Sequence, residues 1–235
     1  MSHPTLNAAE LENSLELASR AQREWKATAL EDRSAALRRL AGLLRDEVEV
    51  HARRMSLEMG KPIVEARGEV LKCATACDYY ADHVAEILAS RPVKTEAVES
   101  FAAYEPIGVV LAIMPWNFPF WQVIRFAAPA LAAGNGGLLK HASNVTGSAL
   151  AIQDLIERAG FPVGLFTTLV TENYEQVYQV IADPRVAAVT LTGSEKAGAL
   201  VAEAAGRALK KCVLELGGSD PFVVRADADL DLVVP

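Results

Sequence analysis

The 235 residues are 51% hydrophobic and 23% charged, with a formal net charge of −7, the make-up of an ordinary globular protein. The acidic balance argues against a nucleic-acid footprint or a polybasic membrane patch, and no apolar run is long enough to cross a bilayer. Only three cysteines are present, Cys73, Cys77 and Cys212, and the N-terminus lacks the pattern of a signal peptide, so a reducing cytoplasm is the expected setting.

Leu11, Leu15, Ala18, Ala21 and Trp25 share one helical face, which predicts an amphipathic helix over about 7–28. A second helix is predicted over about 31–59, with Leu37, Leu40, Leu44, Val48 and His51 in phase; Gly60 and Pro62 mark its end. His51, on the apolar face, reads as a satisfied core histidine. A third helix is predicted over 62–90, with Pro62 tolerated in its first turn. Cys73 and Cys77, spaced i, i+4 on it without a partner at metal spacing, read as buried small hydrophobes, and no metal site is expected. Arg91-Pro92 breaks the pattern, and one or two short strands are expected between Val93 and Tyr104.

From Ile107 the rhythm becomes strand then helix. Strands are predicted at 109–114, 137–140, 165–170, 187–191 and 212–216, with helices at about 120–133, 146–159, 174–181 and 195–208. Short apolar strands alternating with helices imply an α/β fold with a doubly wound parallel sheet behind N-terminal helices.

At the end of the first of these strands stands Met114-Pro115-Trp116-Asn117-Phe118-Pro119. Proline cannot join a strand interior and holds the preceding residue extended. Asn117 is therefore expected among apolar walls at a strand's carboxyl end, where open α/β sheets place ligands. A turn with a hydrophobic plug is the other reading of the same residues. The dinucleotide fingerprint is absent: Gly134-Asn135-Gly136-Gly137 has Leu139 in the third glycine's place and precedes a strand. Thr192-Gly193-Ser194 offers a different anion site, with Ser194 as N-cap of the next helix, though such caps usually only cap. Glu215, ahead of Gly217-Gly218, ends an apolar strand. It reads either as a partly desolvated general base or as a salt-bridged strand-end carboxylate.

Taken together, the residues resemble the aldehyde dehydrogenase superfamily. The run Tyr104-Glu105-Pro106-Ile107-Gly108-Val109, then P-W-N-F-P at 115–119, Ala132-Ala133-Gly134-Asn135, Lys140, Thr192-Gly193-Ser194 and L-E-L-G-G at 214–218 carry the likeness. Residues 138–144 and 211–222 are most similar to bacterial succinate-semialdehyde dehydrogenases. The resemblance implies a Rossmann-like NAD(P)-binding domain over 1–87 and 107–218. It also implies part of an oligomerisation segment over 88–106 and the start of a catalytic domain over 219–235. Family members attack an aldehyde with a Cys thiolate, pass hydride to NAD or NADP, and hydrolyse the thioester.

In that scheme Asn117 matches the side-chain donor of the oxyanion hole and Glu215 the general base. Lys140 matches the residue on the adenosine ribose. Met114, Pro115, Trp116, Gly193, Ser194 and Leu216 match cofactor-contacting positions. Ser143 stands where many NAD-preferring members carry a Glu on the ribose 2′-hydroxyl, so NADP becomes admissible. Arg125, about two helical turns beyond Asn117, resembles the residue that holds a distal carboxylate, with Trp121 beside the substrate. A structural Arg is the other reading. The turn over 168–175 lacks the family's glycines, which leaves its cofactor contact open. The nucleophilic Cys is expected beyond Pro235, and none of the three cysteines present matches it. A fragment of an aldehyde-oxidising homodimer or homotetramer is the first expectation. A non-catalytic cofactor-binding or subunit-interaction module is the alternative.

Overall fold

A computed structural model describes residues 3–233. Helix α1 (Ala8–Lys26) begins where Asn7 dictates: its Oδ1 accepts from the Ala9 and Glu10 amides, and the Glu10 carboxylate accepts from the Asn7 amide at 2.8 Å. This capping box satisfies donors that the first helical turn leaves orphaned. The face predicted from periodicity is the buried one, and Trp25 at its end donates to the Leu131 carbonyl at 2.8 Å.

The expected single helix over 31–59 is two helices, α2 (Leu30–Asp46) and α3 (Val48–Met59), broken at Glu47, whose φ is −107° and ψ 17°. No glycine or proline marks this break. The Glu47 carboxylate instead pairs with Arg158, far along the chain, so a tertiary contact stands where a local signal is missing. Gly60 ends α3 in the left-handed region, φ 76°, as its position suggested. Pro62 is the N-cap of α4 (Ile63–Ile87) rather than part of it. Strands β1 (Arg91–Pro92) and β2 (Phe101–Ala102) pair antiparallel in a sheet of their own.

The main sheet is wholly parallel. Its strands β3 (Val109–Met114), β4 (Gly136–His141), β5 (Phe166–Thr168), β6 (Val186–Thr192) and β7 (Lys211–Glu215) lie in the order β5-β4-β3-β6-β7. The linking helices are α5 (Trp121–Ala132), α6 (Thr146–Arg158), α7 (Tyr174–Ala182) and α8 (Glu195–Arg207). The chain steps outward from β3 to β5, then returns to the other side of β3 to lay down β6 and β7. The order reverses between β3 and β6, and the crevice beyond their carboxyl ends is where such sheets bind ligands.

Alternate residues of β3 feed two cores. Ala112 and Met114 join Leu37, Leu44, Ile124 and Leu131 of the helical layer, while Val109 and Leu111 join Val180, Ile181 and Val189 on the opposite face. Burying both faces explains why the strand reads as an unbroken apolar run. The formal strand β5 is shorter than expected at both ends. Pro129 lies within α5, where it withholds a hydrogen bond from the Arg125 carbonyl.

Candidate active site

The segment from Met114 to Trp121 leaves the sheet at this crevice and is gripped by side chains from elsewhere in the chain. Glu69 of α4, 4% exposed, accepts from the Phe120 and Trp121 amides at 2.8 and 2.9 Å. It thereby caps α5, whose start carries no capping side chain of its own. The Glu69 charge is neutralised by Lys61, which is also buried. The Lys61 ammonium donates to the Asn117 carbonyl at 3.1 Å and lies 3.7 Å from the centre of the Phe118 ring. From the other side, His141 places its two ring nitrogens against the Met114 and Pro119 carbonyls.

Asn117 itself is exposed, flanked by Trp116 at 52% and Phe118 at 44% exposure. The expectation of apolar walls around it is corrected: the prolines turn the chain outward, and the walls lie beneath the loop. The Asn117 amide is left facing outward on a backbone that is held from within. Trp121, expected near a substrate, carries the Lys72 ammonium 4.0 Å from its ring centre and packs toward the helical layer.

Two cavities meet at Lys140. One, of about 220 Å³, is lined by Lys140, Ser143 and Thr146 on one side and by residues 168–174 on the other. The second, of about 350 Å³, lies between α7 and α8 and is walled by Ile113, Val177, Leu191, Ala197 and Val201, with Ser194 at its rim. The Tyr174 ring belongs to both, 5.7 Å from the Lys140 ammonium. Burial pushes the Lys140 pKa down, and no carboxylate offsets that cost among the described residues. A half-buried cation with no protein counter-ion is a site for an anionic or strongly accepting ligand. The turn without glycines at 168–175 supplies one wall of this cavity, residues 168–174, Glu172 among them.

The helix starts around the crevice differ in what occupies them. Glu69 caps α5, and Glu58 of α3 accepts from the Gly147 and Ser148 amides of α6 at 2.7 and 2.9 Å. Among the described residues, the start of helix α8 has only Ser194, whose Oγ accepts from Ala197 at 3.2 Å. Its first turn keeps free amides and the positive end of the helix dipole, where a phosphate is stabilised. Gly193, just ahead, donates its amide to the Glu215 carbonyl at 3.0 Å. Leu216 closes over the same helix, where a Cβ at Gly198 would lie 2.5 Å from its Cδ2.

Met114, Arg125, Thr192 and Glu215 line a third cleft of about 490 Å³ on the α5 side of the sheet. Arg125 donates to Gln122 at 2.9 Å and forms an ion pair with Glu215. Glu215 is half exposed and paired with Arg125, which is the second of its two readings, a salt-bridged strand-end carboxylate. The edge strand β7 leaves it in water, and Arg125 reaches it. The cysteines lie apart from this chemistry. Cys73 and Cys77 are fully buried on the inner face of α4, where burial pushes both thiols up, Cys77 to about 12. Burial also raises the Cys212 thiol in β7. Burial outweighs the nearby Lys72 and Lys61 at Cys73 and Arg45 at Cys77, so neither is disposed to a thiolate.

The doubly wound sheet, the start of α8 capped by Ser194 and the paired cavities at Lys140 form the arrangement in which open α/β folds bind ligands. The aldehyde dehydrogenase family profile matches residues 1–235, and the chain belongs to that family. It is 49% identical over 231 residues to the succinate semialdehyde dehydrogenase Sad of Escherichia coli K12, named for NAD(P)+, covering 98% of this chain and 50% of that protein. It is 53% identical over 222 residues to a probable NADP+ succinate-semialdehyde dehydrogenase of Synechocystis, covering 94% of this chain and 49% of that protein. The crystal structure of succinic semialdehyde dehydrogenase from Streptococcus pyogenes, in complex with NADP+, superposes with a TM-score of 0.95 at 42% identity. That match covers 99% of this chain and 51% of the other. The chain thus spans about half the length of these relatives.

Proposed function

We propose that the chain is the cofactor-binding half of an NAD(P)-dependent aldehyde dehydrogenase that oxidises succinic semialdehyde to the dicarboxylate. The observation that carries this reading is Lys140: a half-buried ammonium without a carboxylate partner, where two cavities join. The adenosine moiety fits the apolar slot between α7 and α8, with Lys140 on its ribose. The pyrophosphate fits the open amides at the start of α8. Ser143, beside Lys140, brings no negative charge against a 2′-phosphate, so NADP is accepted at least as well as NAD. A bound nicotinamide supplies the hydride acceptor.

The chain's own residues prepare the rest. Asn117 offers an uncharged amide donor to a developing oxyanion, on a backbone held by Lys61 and His141. Glu215 serves as the base that takes a proton from water, and Arg125 offers a guanidinium fork to the distal carboxylate. In this structure those two charges satisfy each other. Substrate binding then means that the distal carboxylate takes over Arg125 and frees Glu215. The nucleophilic thiolate is not Cys73, Cys77 or Cys212. It comes from outside these residues, and the 235-residue chain alone does not turn over an aldehyde. Residues 88–106, which contain β1 and β2, serve subunit contact in a homodimer or homotetramer.

Titration calorimetry of the chain with each cofactor tests the assignment, with NADP expected to bind at least as tightly as NAD. A strong preference for NAD would overturn the NADP part, and binding of neither would overturn the whole.

A further inference from the structure

Two carbonyls of the Asn117 loop converge on one buried imidazole. His141 ends β4 opposite Met114 in the parallel register and is 6% exposed. Its Nδ1 lies 3.1 Å from the Met114 carbonyl oxygen and its Nε2 lies 3.0 Å from that of Pro119. The Ala142 amide approaches Nδ1 at 2.9 Å. Met114 and Pro119 are the two ends of the segment that bears Asn117, so a single side chain lies against both the strand exit and the helix entry.

A neutral imidazole has one N–H and one lone pair, and its surroundings choose between tautomers. With the proton on Nε2, the ring donates to Pro119 while Nδ1 accepts from Ala142. With the proton on Nδ1, a bare Nε2 would face the Pro119 carbonyl and the Nδ1 proton would meet the Ala142 N–H. In the Nε2–H form, Nδ1 and the Met114 carbonyl share that N–H between them. Burial and the nearby Lys140 hold the ring's pKa down, against the two carbonyls and Glu58. We propose that His141, as the Nε2–H tautomer donating to the Pro119 carbonyl, is the positioning residue that sets the loop carrying Asn117. The inference rests on the reading of Asn117 as an oxyanion donor. It assigns His141 no contact with substrate.

Glutamine can return an N–H near the Nε2 position, whereas asparagine reaches only the Nδ1 position. Hydrogen exchange at the Phe120 and Trp121 amides of the 235-residue chain, which follow Pro119 and donate to Glu69, reads the loop directly. H141Q is expected to stay within about threefold of wild type, while H141N and H141A exchange at least about tenfold faster. Equal acceleration in H141Q and H141A, or acceleration in none, would overturn the proposal. Nitrogen NMR of the wild-type ring needs no variant: Nε2 protonated and Nδ1 bare at neutral pH supports it, and the opposite tautomer or an imidazolium defeats it. In the longer enzyme that the proposed function requires, H141N lowers kcat at least about tenfold with the KM for NADP nearly unchanged, and H141Q restores kcat. A rise in that KM as large as the fall in kcat would reassign His141 to the cofactor site. Failure of the wild-type chain to bind NADP sinks the proposed function alone and leaves the loop measurements standing.

Discussion

Lys140 concentrates the chemistry at the residue scale. Its burial is an energetic cost that no carboxylate among the described residues offsets, which makes sense when a ligand supplies the acceptors. Lys140→Met is expected to weaken NADP binding at least tenfold, about 1.4 kcal/mol, by titration calorimetry, with the fold's melting temperature unchanged or raised. Unaltered affinity would remove Lys140 from the site. Ser143→Glu places a carboxylate in the same cavity and is expected to weaken NADP at least tenfold, again about 1.4 kcal/mol, while sparing NAD. Equal effects on the two cofactors would show that position 143 does not face the 2′-phosphate.

His51 belongs to a different balance. It lies in the core as its periodicity suggested, tilted against Phe120 at 5.0 Å, but neither ring nitrogen has a hydrogen-bond partner. Nε2 is 3.2 Å from a Glu47 carboxylate oxygen without the alignment a hydrogen bond needs. The expected satisfied histidine is thus an unsatisfied one. Burial first, then Arg54, push its pKa down, while Glu47 opposes them. The folded pKa is lowered, so the stability tied to the neutral ring is present above the unfolded value near 6.5 and declines as pH falls below it. His51→Leu should flatten the pH dependence of urea stability below about pH 6.5; an unchanged slope would assign it to other groups, His141 among them.

Single elements show how far linear reasoning reaches. The helix face of α1, the Gly60 terminus, the Ser194 cap and the five parallel strands were all legible, because each depends on neighbours within a few residues. The break at Glu47 was not, since its partner Arg158 lies on α6. Nor was the grip on the Asn117 loop: Lys61, between two helices, and Glu69, on α4, carry no local sign of burial in the sequence. Only the packing of α4 against α5 buries them at 8% and 2% side-chain exposure. Glu58 escaped notice for the same reason. Lys61→Met leaves Glu69 as an uncompensated buried charge and is expected to cost about 3–5 kcal/mol in urea unfolding. It should also speed exchange of the Asn117 loop. A loss below about 1 kcal/mol would mean that water, not Lys61, neutralises Glu69.

At the scale of the whole molecule, the sheet order places β3 and β6 side by side at the reversal of the chain. Lys140, Ser143, Gly193 and Ser194 lie at or just past the carboxyl ends of β4 and β6. The Arg125–Glu215 cleft lies on the α5 side of the same sheet, while the adenosine slot lies between α7 and α8. The two proposed halves of the reaction are thus presented by one scaffold from opposite faces. Hydrogen exchange of the 235-residue chain with and without saturating NADP tests this division most directly. Protection is predicted over 168–174 and over the first turns of α8, with none over 88–106. Exchange unchanged by NADP at both the Lys140 cavity and α8, or protection confined to the Arg125–Glu215 cleft, would contradict it.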